Sequence, residues 1–186
     1  MPKDITVAPH LSLYQIAPSA YLADHSSITH PVSHLVAAAI VIHSKKILLL
    51  QRSSHAFVPL KWEVPGGKCE QERDATVVAA AVRELREEAG LVASRVTDVV
   101  DTGQEWVDGG EHWKKITFMV ELEHSGREDQ KPQVQLQATE HVEFVWASEE
   151  DVLSNRCGDI PLDWTFEDQK RTVLDAFRIL RLKSER

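Results

Sequence analysis

Cysteine is nearly absent from this chain: Cys69 and Cys157 are the only two among 186 residues. They form neither a CxxC pair nor a disulfide framework, so reduced thiols in an intracellular protein are expected, with the cytoplasm as its compartment. Long apolar runs are also missing. The longest, Leu35 to Ile42, is followed by the polar "HSKK" and falls far short of the ~18 residues of a membrane helix. The opening "MPKDITVAPHLSLYQ" lacks the basic-then-apolar order of a secretory signal. Positive charge is in deficit, with 21 Lys and Arg against 29 Asp and Glu, a net charge of −8. That argues against a partner made of nucleic-acid polymer. It leaves room for an anionic small molecule, because a bound divalent cation reverses the local field. The expectation is one globular domain with no membrane contact and a substantial core, 42% of its residues being hydrophobic.

Several elements can be read from patterning. Residues 1–33, with Pro9, Pro18 and Pro31, read as an extension packed on a domain that spans 34–186, with one short strand around Ser19 to Ala23. "HLVAAAIVIHSKKILLLQRS" predicts a hairpin of buried strands at 35–42 and 46–51. From Thr76 to Ala89 the period changes to that of a helix. Val78, Val82, Leu85 and Ala89 form one apolar stripe. Asp74 or Thr76 is placed to cap that helix, and Gly90 to end it. Two more strands flank "DGGE". A polar mobile loop is expected over 124–139, then a strand at "HVEFVWAS", a short helix capped by Ser148 and an amphipathic helix from Phe166. Strands before and after a central helix describe an α/β sandwich.

"PGGK", at residues 65–68, precedes a helix ending in "VRELREEAG". Glu84, Glu87 and Glu88 fall within a sector of about 100°, beside the apolar stripe. Like charges at these spacings cost a few tenths of a kcal/mol per pair, so the helix itself gains nothing from them. On their own, such residues read as a solvated face. A hard divalent cation reverses the sign, since it takes oxygen ligands and bridges carboxylates to phosphates. Gly66 and Gly67 let the backbone come close to a ligand.

"GGKCEQERDATVVAAAVRELREEAGL" resembles the Nudix box of the diphosphate hydrolases. Its second half matches at Arg83, Glu84, Leu85, Glu87, Glu88, Gly90 and Leu91. The first half is longer by two residues, so the box's first Glu has no aligned counterpart; Glu70, Glu72 and Asp74 remain open for that role. The resemblance implies a Nudix-type α/β/α sandwich with a mixed central sheet. It also implies Mg²⁺ (or Mn²⁺) bound by Glu84, Glu87, Glu88 and the Gly67 carbonyl, with Arg83 orienting the acids. Water then attacks phosphorus. Glu84, Glu140 and Glu143 are alternatives for the general base, Glu140 being the one carried forward. Arg52, Gly66, Gly67 and Lys68 are candidate substrate contacts, and a homodimer is compatible with the resemblance.

The resemblance defines the reaction more closely than the substrate. The Tyr or Pro that marks dinucleoside-polyphosphate and ADP-ribose hydrolases past the box is absent from "GQEWVDGGEHW". "KWEVPGGK" is similar to the strand entering the box in hydrolases of oxidised nucleoside triphosphates, although Trp62 reads more readily as a packing residue. The expected substrate is a small-molecule diphosphate: a nucleoside di- or triphosphate first, a non-nucleotide such as an isoprenoid diphosphate second. A box-bearing module that binds without turnover is the reading from another class.

Overall fold

The computed structural model describes residues 5–25, 31–123 and 131–185. The chain enters through β1 (Thr6–Val7), a 3-10 turn (Pro9–Tyr14) and α1 (Pro18–His25). The strand expected at Ser19–Ala23 is therefore a helix. Pro18 opens it, where a locked φ suits the first turn and the missing N–H is no loss, and Tyr21 turns into the core.

β2 (His34–His43) and β3 (Lys46–Arg52) form the expected hairpin. Ser44 and Lys45 join them at φ 49° and 60°, the left-handed pair a two-residue hairpin turn requires. β4 (Trp62–Glu63) and β5 (Gly66–Lys68) lead to α2 (Val77–Ala89). Of the two candidate caps it is Thr76 that accepts a hydrogen bond from Ala79 N, at 3.0 Å, and Gly90 closes the helix at φ 67°. β6 (Ala93–Asp108) and β7 (Glu111–Leu122) follow, then β8 (His141–Ala147) and α3 (Glu149–Ser154), whose cap is Ser148. A small hairpin, β9 (Arg156–Cys157) and β10 (Ile160–Pro161), precedes α4 (Glu167–Ser184). Of the expected loop, residues 124–130 lie outside the described residues. The rest has no regular structure but is docked on α2: Gln135 N and Gln137 N donate to Ala89 O and Glu88 O.

β2 organises the sheet. It runs antiparallel to β3 and β5 and parallel to β7, while β7 pairs antiparallel with β6. β3 pairs with β4 and β8. Because strand side chains alternate, Ala37, Ala39 and Val41 join one apolar cluster with Ala81 and Leu85 of α2. Ala38 and Ile40 join another with Val173, Ala176 and Phe177 of α4. The chain is thus an α/β/α sandwich around a mixed central sheet. Burial on both faces explains why β2 reads as a continuous apolar run and not as an alternating one. Trp62 is fully buried, its Nε1 donating to Pro161 O at 3.0 Å, which matches the packing reading. Among the described residues no helix is long and apolar enough to cross a membrane.

The N-terminal segment is built into this core. β1 extends the sheet in parallel with β6, Leu11, Tyr14 and Tyr21 join the α2-side cluster, and Tyr14 meets Phe118 edge-on at 5.2 Å. Leu11 is 0% exposed, so Leu11→Ala should cost roughly 2–5 kcal/mol. Thermal denaturation should show a fall of about 2–4 °C for each of those kcal/mol. An unchanged melting temperature would mean that the segment is a detachable tail.

Candidate active site

Two of the box acids are interior residues. Glu84 and Glu88, one turn apart on α2, are 8% and 4% exposed, because that face of the helix lies on β5. The glycine pair makes the approach possible. A Cβ on Gly67 would sit 2.5 Å from Glu84 Oε1, and one on Gly66 would sit 2.5 Å from the Cβ of Ala38. With no side chain in the way, Gly66 N donates to Glu88 Oε2 at 2.8 Å.

Arg83 ties the acids together. Its Nε and Nη2 hold Asp74 in a bidentate pair at 2.8 and 2.9 Å. Nη1 donates to Glu84 Oε1 at 2.7 Å and to Glu87 Oε2 at 2.9 Å. Nη2 also reaches the Lys68 carbonyl at 3.1 Å. Of the three acids left open by the longer box loop, Asp74 is the one that braces the arginine. Glu70 pairs with Arg73 at 3.1 Å and comes only to 3.9 Å of Arg83, and Glu72 is exposed. Arg73 in turn pairs with Glu87.

These contacts separate the acids electrostatically. Burial opposes the charge on Glu87, but hydrogen bonds from Arg83 and Arg73 outweigh it and hold the carboxyl below its usual range. At Glu84 burial wins over Arg83 and raises the pKa. At Glu88 burial, reinforced by the nearby charge of Glu63, raises it well above the ordinary value. Cys69, behind the loop, is a buried bystander whose thiol is pushed up to about 12 by desolvation first.

A cleft of about 540 Å³ opens over this surface, lined by Arg52, Gly66, Gly67, Lys68, Glu70, Arg73, Arg83, Glu84, Glu87, Glu88, Gln137 and Glu140. Nine of the residues singled out from the sequence (Arg52, Gly66, Gly67, Lys68, Arg83, Glu84, Glu87, Glu88 and Glu140) therefore meet in one place. Glu143 is exposed on β8 and does not line it. Arg52 is no ordinary surface arginine: its Nη1 bonds Glu63 Oε1 at 2.5 Å, and His141 Nε2 lies 3.3 Å from the same oxygen. Burial disfavours the Glu63 carboxylate, yet the hydrogen bond from His141 and the charges of Lys115 and Arg52 keep its pKa low. Glu88, Glu140 and His141 offer ligand atoms within 4.8 Å of one another. Sequence reasoning missed Glu63 and His141. His141 falls in no motif, Glu63 sits in "KWEVPGGK" with no role read for it, and their contact joins positions 78 residues apart.

The donor set suits a hard cation: carboxylate oxygens converge on a backbone with no Cβ in the way, and two of them are buried against their charge. A consequence follows for stability. The raised pKa of Glu88 means that folding favours its protonated form. Its contribution is full below the unfolded-state pKa and is lost as pH rises toward the folded one. Glu88→Gln should therefore raise the melting temperature of the metal-free protein at neutral pH, by about 2–4 °C per kcal/mol relieved. It should also shrink the stabilisation that added Mg²⁺ gives the parent. A lower melting temperature in the metal-free variant would contradict this assignment.

Comparison with known proteins agrees with this geometry. The NUDIX domain family model matches residues 33–174. CTP pyrophosphohydrolase of Escherichia coli (strain K12) is 34% identical over 148 residues, covering 78% of this chain and 92% of that protein. The solution structure of the E. coli ORF135 protein superposes with a TM-score of 0.56 at 28% identity, over 80% of this chain and 90% of that one. The NUDIX domain of Shewanella oneidensis NrtR, complexed with ADP ribose, superposes with a TM-score of 0.60 at 20% identity, over 89% and 99%; that likeness concerns the fold alone. With the family model matched over residues 33–174 and every acid of the second half of the box lining one cleft, the chain belongs to the Nudix family and is a diphosphate hydrolase.

Proposed function

We propose that this hydrolase cleaves a nucleoside triphosphate, cytidine triphosphate foremost, into the monophosphate and pyrophosphate in a reaction that needs Mg²⁺ or Mn²⁺. The observation that carries the reading is the composition of the cleft. Buried acids on one helix face share it with the cations Arg52 and Lys68, an arrangement suited to metal and phosphate together. The choice of nucleotide is supported by the relative 34% identical over most of its length, which is named for CTP.

Glu84, Glu87, Glu88 and the Gly67 carbonyl are the residues to hold the cation. Once bound, it would lower the pKa of a water and neutralise charge developing on phosphate oxygens. The chain's own groups supply the rest. Arg83 keeps Glu84 and Glu87 in one orientation through charge-assisted bonds. Arg52, itself anchored by Glu63, and Lys68 neutralise the phosphates. Glu140, exposed and lining the cleft, is the group assigned in this reading to accept a proton from the attacking water, which adds to phosphorus as the bridging oxygen leaves with pyrophosphate. The docked segment around Gln137 closes the cleft beside it. A module that binds without turnover is not favoured, since no box acid of the second half is lost. The cytoplasm, the compartment that keeps both thiols reduced, is the expected location.

The test is pyrophosphate release from a panel of nucleoside triphosphates, nucleoside diphosphates and isoprenoid diphosphates. CTP should be turned over with Mg²⁺ or Mn²⁺, lost on chelation and restored by readdition. Glu87→Gln should lower kcat by about 10²-fold or more while the melting temperature moves little. Turnover confined to isoprenoid diphosphates would reverse the substrate assignment. Binding without release across the panel would reject the hydrolytic one.

A further inference from the structure

A second, smaller cavity of about 270 Å³ adjoins the cleft. Arg52, Glu88 and Glu140 line both, while His55 and His141 enter the wall of the smaller one alone. An irregularity in the sheet places His141 there. Where β8 pairs with β3, Gln51 lies opposite Glu143 but Arg52 lies opposite His141, so Val142 is the extra residue of a bulge. A bulge re-aims the side chains beside it. Glu143 is exposed while His141, two residues earlier, is only 2% exposed; unbroken alternation would put both on one face. The backbone fixes this stretch from two sides. Glu140 N and His141 N both donate to Gln137 O, at 2.9 and 3.0 Å, and Glu140 O accepts from Ser53 N at 2.7 Å.

One ring nitrogen of His141 is engaged and the other is not. Nε2 lies 3.3 Å from Glu63 Oε1, the oxygen that also takes the bond from Arg52. A carboxylate paired with arginine only accepts, so in the neutral ring Nε2 carries the proton and the lone pair is on Nδ1. Nδ1 is buried and has no hydrogen-bond partner among the described residues. A buried acceptor left without a donor is costly. A carboxylate on one imidazole nitrogen with an open lone pair on the other is the arrangement that orients a metal-binding histidine. Glu88, Glu140 and His141 offer ligand atoms within 4.8 Å of one another, near the roughly 4 Å that separates ligands across one ion. The box acids and the Gly67 carbonyl offer oxygen alone, which suits Mg²⁺. An imidazole nitrogen suits first-row transition ions instead, whose affinity rises from Mn²⁺ to Co²⁺.

We propose that His141 Nδ1, with Glu88 and Glu140, forms a mixed nitrogen and oxygen site for a divalent transition-metal ion, and that Glu63 is the positioning residue that keeps this nitrogen open. The site differs from the all-oxygen set of Glu84, Glu87 and the Gly67 carbonyl. Glu88 belongs to both, so the ion it holds faces the same cleft. A carboxylate has two oxygens, and Glu140 ligates with one while the other stays available to the proton of the attacking water. The proposal rests on the metal-dependent reading above and deepens it; because its test uses no substrate, either can fail alone.

The experiment titrates the metal-free full chain with Co²⁺ and Mg²⁺ by calorimetry. Beside it, electron spin-echo envelope modulation of the Mn²⁺-loaded protein detects a directly bound imidazole nitrogen. The parent should show that nitrogen signal. His141→Gln should abolish it and weaken Co²⁺ binding about tenfold or more, with Mg²⁺ affinity held within about threefold. Glu63→Gln should weaken Co²⁺ binding about tenfold with the same sparing of Mg²⁺. His55→Gln, the other histidine of the cavity wall, should change neither. A Mn²⁺-loaded parent without the nitrogen signal overturns the proposal. So does a signal that survives His141→Gln or disappears in His55→Gln. Equal losses for Co²⁺ and Mg²⁺ in His141→Gln reduce the histidine to a structural part and reject the site. If His141→Gln does not fold, the parent and His55→Gln labelled with ¹⁵N-histidine decide: a ¹⁵N coupling to Mn²⁺ in both supports the site, and its loss in either rejects it.

Discussion

Arg83 is the constraint on which the site depends. One guanidinium holds Asp74, Glu84 and Glu87 and reaches the Lys68 carbonyl, so the loop from β5 and the face of α2 cannot move independently. A planar fork with five donors can do this; a lysine ammonium cannot, having three donors on a flexible stem. The longer box loop makes sense in the same terms. It carries Asp74 back under the helix, where Asp74 Oδ2 also accepts from Glu70 N at 2.7 Å and the loop becomes self-supporting. Gly67 then lets the strand lie against Glu84 with no room for a side chain.

Bracing alone does not balance the charge. Arg83 and Arg73 satisfy Glu87, but Glu84 and Glu88 remain buried with their charged forms disfavoured. The countercharges nearby are spoken for: Arg52 serves Glu63, and Lys115 is bonded to an amide. An active site commonly stores such imbalance, since groups held away from their preferred state respond to a cation or an anion arriving. Under the proposed function, the surplus of acid on α2 and the cations on the facing wall would be balanced together by a metal and a polyphosphate. The sandwich behind it is conventional, with α2 and α4 on opposite faces of β2. That rigidity keeps Glu88, Glu140 and His141 within ligand distance of one another.

Local pattern and tertiary contact divide the account clearly. The β2–β3 hairpin, α2 with its terminal glycine and the grouping of Arg83, Glu84, Glu87 and Glu88 were legible in the sequence, because each depends on residues within a few positions of one another. A period of 3.6 and a polar turn between apolar runs are enough to specify them. Tertiary structure decided the rest. It made Ser19–Ala23 a helix packed on the core, chose Asp74 over Glu70 and Glu72, and turned Arg52 into the partner of Glu63. It also brought Lys115 to Gln169, 54 residues away, and His141 to Glu63. None of these contacts leaves a trace in local spacing. The reason is physical: periodicity records which way a side chain faces along its own element, whereas the identity of a buried polar partner depends on which other element the fold lays beside it.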